Sequence, residues 1–153
     1  MAKTFPFKII TPEKCFYSGE AEIVIARTLT GDEGYMAGHA WACKLLDTGE
    51  LWFREAGAKE FRYAAISSGF IDVREDALIF TDTAEWPGEI DVSRAEKQQQ
   101  LEQEWLDSHP IDKISPELAL EIQVHKQSIN RALNRKKVAG RKAEESGGGR
   151  QRH

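Results

Sequence analysis

Cysteine is scarce in this sequence. Cys15 and Cys43 stand apart, with no CxxC spacing and no histidine beside them. That argues against a disulfide framework or a thiolate metal site. Both read as free thiols packed as small apolar side chains in a reducing compartment. The four histidines, His39, His109, His125 and His153, lack HExxH or i, i+4 spacing, so no metal site is expected. No apolar run approaches the roughly 18 residues of a bilayer-spanning helix. Met1-Ala2-Lys3-Thr4 lacks the apolar core of a secretion signal, so any membrane association is expected only through a partner. A Gly-rich phosphate loop is missing, as is a nucleophile set beside a base. Catalysis is therefore not expected, and no catalytic residue is assigned.

What remains is an ordinary globular composition of 153 residues, 41% hydrophobic and 30% charged, enough for one or two small domains. The net charge of −4 conceals an asymmetry. From Val124 to His153 nine Lys and Arg face two Asp and Glu, whereas the first 123 residues hold twelve bases and twenty-three acids. The chain is an acidic body with a basic end, which suits nucleic acid, an acidic protein partner or plain solvation.

Turn signals punctuate the first half at Thr11-Pro12, Ser18-Gly19, Gly31-Asp32, Gly38, Asp47-Thr48-Gly49, Ala56-Gly57, Ser68-Gly69 and Glu75-Asp76. That is the spacing of a two-sheet β structure. Phe5, Phe7 and Ile9 share a strand face, as do Ile23 with Ile25 and Leu51 with Phe53, and Ala77-Leu78-Ile79-Phe80 reads as a buried strand. At Trp86-Pro87-Gly88 the composition changes. Asp91 is a plausible N-cap for a helix to about Leu106, with Ala95, Gln98, Leu101 and Trp105 near helical spacing. Ser115-Pro116-Glu117 carries three start signals for a second helix. Its stripe is Leu118, Ile122, His125, Ile129 and Leu133, and Gly140 is a stop. The expectation is α+β: an N-terminal antiparallel β-sandwich over residues 1–88, then a two-helix antiparallel hairpin over residues 89–139. Residues 140–153, with Gly147-Gly148-Gly149, are expected to be a disordered basic tail. Narrow stripes make the hairpin a candidate moving part.

Several motifs then fall in order: Phe7-Lys8-Ile9-Ile10-Thr11-Pro12, Gly31 to Ala40, Leu46-Asp47-Thr48-Gly49-Glu50-Leu51, Ile66 to Val73, Thr83-Ala84-Glu85, and Ile90-Asp91-Val92-Ser93-Arg94-Ala95. From about Phe5 to Val138 the chain resembles the epsilon subunit of bacterial and chloroplast F-type ATP synthases. Two departures sit near turns: Trp41 where the family commonly has proline, and Ser68 where it commonly has glycine. The resemblance implies a sandwich of about ten strands and a rotor subunit of the central stalk, bound to the gamma subunit and resting on the c-ring. It implies a hairpin that folds down on the sandwich or extends toward the catalytic alpha and beta subunits and blocks ATP hydrolysis. It also implies a peripheral place on the cytoplasmic face of the bacterial plasma membrane, held through the complex.

The same resemblance carries ATP as a regulatory ligand, with no cofactor required, onto Glu85, Ile90, Asp91, Arg94, Ala95, Arg131 and Arg135. Arginine forks suit a triphosphate and carboxylates suit adenosine. Read on their own, the residues allow another account: Asp91 caps a helix, Arg94 pairs with a nearby acid, and Arg131 and Arg135 form a solvated or partner-facing surface. Gly31 to Ala40 resembles the family's c-ring loop, which makes Asp32, Glu33 and His39 candidate contacts. The alternative function is a small β-barrel module for nucleic acid or another anion with a basic helical tail. Phe53, Phe61 and Tyr63 are its candidate aromatics, but the acidic β half suits nucleic acid poorly, and none is expected as a partner.

Overall fold

A computed structural model of the chain describes residues 3–109 and 115–141. Its first half forms nine strands among those residues: β1 Phe5–Ile10, β2 Cys15–Thr28, β3 Gly31–Met36, β4 Ala42–Leu46, β5 Gly49–Glu55, β6 Arg62–Ile66, β7 Gly69–Val73, β8 Ala77–Thr81 and β9 Ala84–Glu85. A 3-10 turn at Pro87–Glu89 leads to helix α1, Val92–Ser108, and then α2, Pro116–Ala139. The architecture is α+β, a sandwich followed by two helices.

One layer runs β1-β8-β7-β4 and the other β3-β2-β5-β6-β9, with the long β2 pairing to both β1 and β4 and so joining them. One pair departs from the expected antiparallel sandwich. Strands β1 and β8 run parallel, with Ile9 opposite Ile79. They are distant in sequence, so no hairpin turn dictates their relative direction. Phe7, Ile9, Tyr35, Leu51, Phe53, Ile71 and Ile79 are fully buried between the layers. Phe7 meets Phe53 edge-on at 5.2 Å, while Phe16 stacks on Trp86 at 4.3 Å. The Arg62 guanidinium lies 4.1 Å over Trp86. Trp86 is thereby anchored on the sandwich immediately before the chain leaves for the hairpin.

Pattern reading finds shared strand faces but does not always say which one is buried. Ile23 and Ile25 share a face, but Val24 and Ala26 are the buried pair. Both faces of β2 are apolar here, so alternation cannot choose between them. Strand β8 buries Ala77 and Ile79, while Leu78 and Phe80 lie on its partly exposed face. Cys15 and Cys43 are exposed, not packed inside. Phe53, a candidate nucleic-acid platform, is fully buried, and Tyr63 nearly so. Residues 142–153 of the expected tail lie outside the described residues.

Both helix starts form as the sequence predicts. Asp91 accepts from the Arg94 backbone N–H at 3.0 Å, and Ser115 accepts from that of Leu118 at 3.1 Å. Contacts that climb α1 descend α2: Glu96 lies by Lys136, Gln98 reaches Ser128 and Glu102 meets His125. The hairpin is therefore antiparallel. Its seam is more polar than the stripe predicts. Leu101 is 63% exposed and Leu133 44%, while Ala95, Ala132 and Val138 are buried. Small side chains let the helices and sandwich approach closely, which leaves the leucines on the flanks.

Candidate functional site

The site is the seam where α2 meets the edge of the second layer. Arg135 on α2 donates through Nε and Nη2 to the two Glu85 oxygens on β9, at 2.7 and 3.0 Å. About one turn further along α2, Val138 is buried with Ile90 and Ala65. Asn134 Nδ2 donates to the Gly49 carbonyl at 2.9 Å. Beyond the helix, Arg141 donates to both Glu50 oxygens at 3.2 and 3.3 Å and lies 4.6 Å over the Tyr63 ring.

The seven candidate ATP residues divide among three settings. Glu85, Arg135 and Ile90 lie at the seam, the first two satisfying each other. Asp91 is spent on capping α1, with Ala95 buried on that helix and Arg94 exposed. No described acid lies within ion-pair distance of Arg94, so its expected partner is not among those residues. Arg131 instead lines a cleft of about 390 Å³ between α2 and the β4–β5 turn, with Arg27, Thr48, Asn130 and Lys137.

The c-ring candidates do not form a single loop. Gly31–Met36 is strand β3, which puts Asp32 and Glu33 on the strand and His39 beyond its far end. At about 3.3 Å per residue, that strand alone separates Asp32 from Met36 by roughly 13 Å. Asp32 accepts from Arg27 at 2.7 Å, and Glu33 accepts from Lys44 at 2.7 Å. The Asp32 hydrogen bond raises the Arg27 guanidinium above its ordinary range. His39 Nδ1 lies 2.7 Å from the Ala40 carbonyl, its ring edge-on to Tyr35. Burial, and then the Glu33 charge, push the Tyr35 phenol up to about 12.

Sequence reasoning missed the centre of the hairpin. Glu102 on α1 bonds to His125 on α2, and Trp105 stacks between His125 at 3.8 Å and His109 at 4.0 Å. The His125 hydrogen bond holds the Glu102 carboxyl below its usual range against an opposing effect of burial. His125 sits on the predicted stripe, but an acid facing it from α1 was the available signal. Glu50, Asn134 and Arg141 were also missed, since nothing local marks them.

The family model for the ATP synthase delta/epsilon chain, β-sandwich domain, matches residues 4–87. The epsilon chain of Ruminococcus albus is 35% identical over 140 residues, covering 90% of this chain and 98% of its own length. That of Caldicellulosiruptor bescii is 32% identical over 142 residues, covering 92% and 97%. The chain belongs to the ATP synthase epsilon-chain family, whose members are non-catalytic subunits. Its fold is also similar to a chain of the Euglena gracilis mitochondrial ATP synthase, with TM-score 0.68 and 19% identity over 85% of this chain and 79% of that one. Among the described residues no helix is long and apolar enough to cross a membrane, and no group of three or more side chains could hold a metal ion.

Proposed function

We propose that this chain is the epsilon subunit of the central stalk, a rotor element that joins the gamma subunit to the c-ring and regulates ATP hydrolysis through its hairpin. The observation that carries this reading is a row of apolar side chains across the outside of the first layer. Leu45, Phe70, Phe80 and Ile10 stand opposite one another on four neighbouring strands. Leu45 is 63% exposed and Phe70 38%, and the Phe70 and Phe80 rings stack at 4.9 Å. A contiguous apolar row on a sheet face marks an interaction surface; gamma is the partner that family membership supplies. Asp32, Glu33 and His39 are assigned to the c-ring side, as a contact surface and not a proton carrier. The complex holds the subunit at the cytoplasmic face of the bacterial plasma membrane.

The regulatory part rests on the seam. Ion pairs and two or three small apolar contacts hold α2 to the sandwich, a junction that separates more readily than a continuous core. With the hairpin down, ATP is proposed to engage Glu85, Ile90, Asp91, Arg94, Ala95, Arg131 and Arg135. With it extended, the exposed arginines would meet acidic surfaces of the catalytic alpha and beta subunits, in contacts weakened by salt. Co-purification with gamma tests the core assignment. The wild type should be retained, Phe70→Asp should be lost, and retention of that variant would refute the docking row. Titration calorimetry with ATP tests the sensor separately; no heat at millimolar nucleotide would remove it.

A further inference from the structure

We infer that residues 134–141 form a latch that keeps the hairpin folded on the sandwich without nucleotide, and that Arg141 clamping Glu50 is its decisive member. The inference rests on the reading of the hairpin as mobile.

The Glu50 side chain is only 5% exposed, at the start of β5. A carboxylate that has lost its water needs a charged donor in good geometry, and removing that donor costs more than the pair contributes when whole. Arg141 supplies the donor as a fork to both oxygens, its guanidinium covering Tyr63. Asn134 reaches the Gly49 carbonyl next to it, and Val138 fills the apolar space beside Ile90 and Ala65 between these contacts. The polar contacts that fasten α2 to the sandwich thus gather at one end. Its earlier turns carry Leu120 and Val124, 65% and 58% exposed.

Glu85 and Arg135 add a consequence for the nucleotide. Both belong to the candidate ATP set, yet each already satisfies the other. A triphosphate drawing on Arg135 would have to displace a made pair. The Glu50–Arg141 clamp lies outside that set and needs no ligand. The nucleotide-free subunit therefore rests with its hairpin down.

Hydrogen exchange of the full-length chain, followed by mass spectrometry without nucleotide, tests this. Arg141→Gln should speed exchange about tenfold in peptides covering the last two turns of α2, with sandwich peptides unchanged. Glu50→Gln combined with Arg141→Gln should exchange more slowly than Arg141→Gln alone, because the stranded charge is gone. Unchanged exchange in Arg141→Gln, or a rise shared equally by the sandwich peptides, would overturn the latch. So would a wild-type α2 end that exchanges as if unfolded without nucleotide. Repeating the wild-type measurement with ATP separates the two ideas: protection gained only on adding ATP would support the sensor while refuting the latch.

Discussion

At the scale of single residues, the decisive side chains are those that satisfy a backbone or a charge. Asp91 accepts the Arg94 backbone N–H at the α1 start, so Asp91→Ala should cost about 1 kcal/mol. A lower denaturant midpoint for the hairpin signal, with the sandwich transition unmoved, is the expected result. Glu102 gives a pH dependence. Its folded pKa lies below the ordinary 4.5, chiefly through His125. A depressed carboxylate contributes stability that is present above its unfolded value and lost as pH falls through the folded one. Helicity by circular dichroism should decline as pH falls below the ordinary 4.5 and through the lowered folded value, and Glu102→Gln should flatten that step. Glu22, lowered by its bonds to Arg54 and Gly57, titrates in the same direction on the sandwich; the substitution separates the two. Caps were legible in the sequence because a cap involves residues three apart. Partners such as Glu50 and Arg141 were not, since ninety-one positions separate them.

At the scale of elements, close approach governs the strands and residue size governs the helices. A Cβ on Gly69 would stand 1.9 Å from the Phe80 carbonyl oxygen on the adjoining strand. Gly69→Ala must push β7 and β8 apart, and a loss of about 1–3 kcal/mol is expected in urea unfolding. Periodicity located both α-helices and four of the nine strands among the described residues, β1, β2, β5 and β8. It could not choose the buried face of β2, because apolar residues on two faces give alternation no preferred side. On α2 it found the half-buried Leu118, Ile122, His125 and Ile129, but Leu133 there and Leu101 on α1 are exposed. The Gly31 to Ala40 stretch was expected to be a loop. It is largely β3 because its residues pair along β2, with Tyr35 opposite Val24 and buried beside it, a long-range term that turn residues do not reveal.

For the molecule as a whole, the hairpin sits on a sandwich with its own continuous core. Removing residues after Glu89 should leave the sandwich folded and able to assemble, while ATP hydrolysis by the complex rises. Hydrolysis unchanged by that truncation would count against an inhibitory hairpin. The sequence by itself determined the fold class, both caps and the family, because motif order, turn chemistry and capping are local in the chain. It also supplied the residues of the candidate nucleotide set, but not their arrangement. Tertiary structure alone decided that Glu85 is already paired with Arg135, that Arg131 faces a separate cleft, and that a buried glutamate meets Arg141. Those contacts depend on where α2 comes to rest, a position set by packing between distant elements.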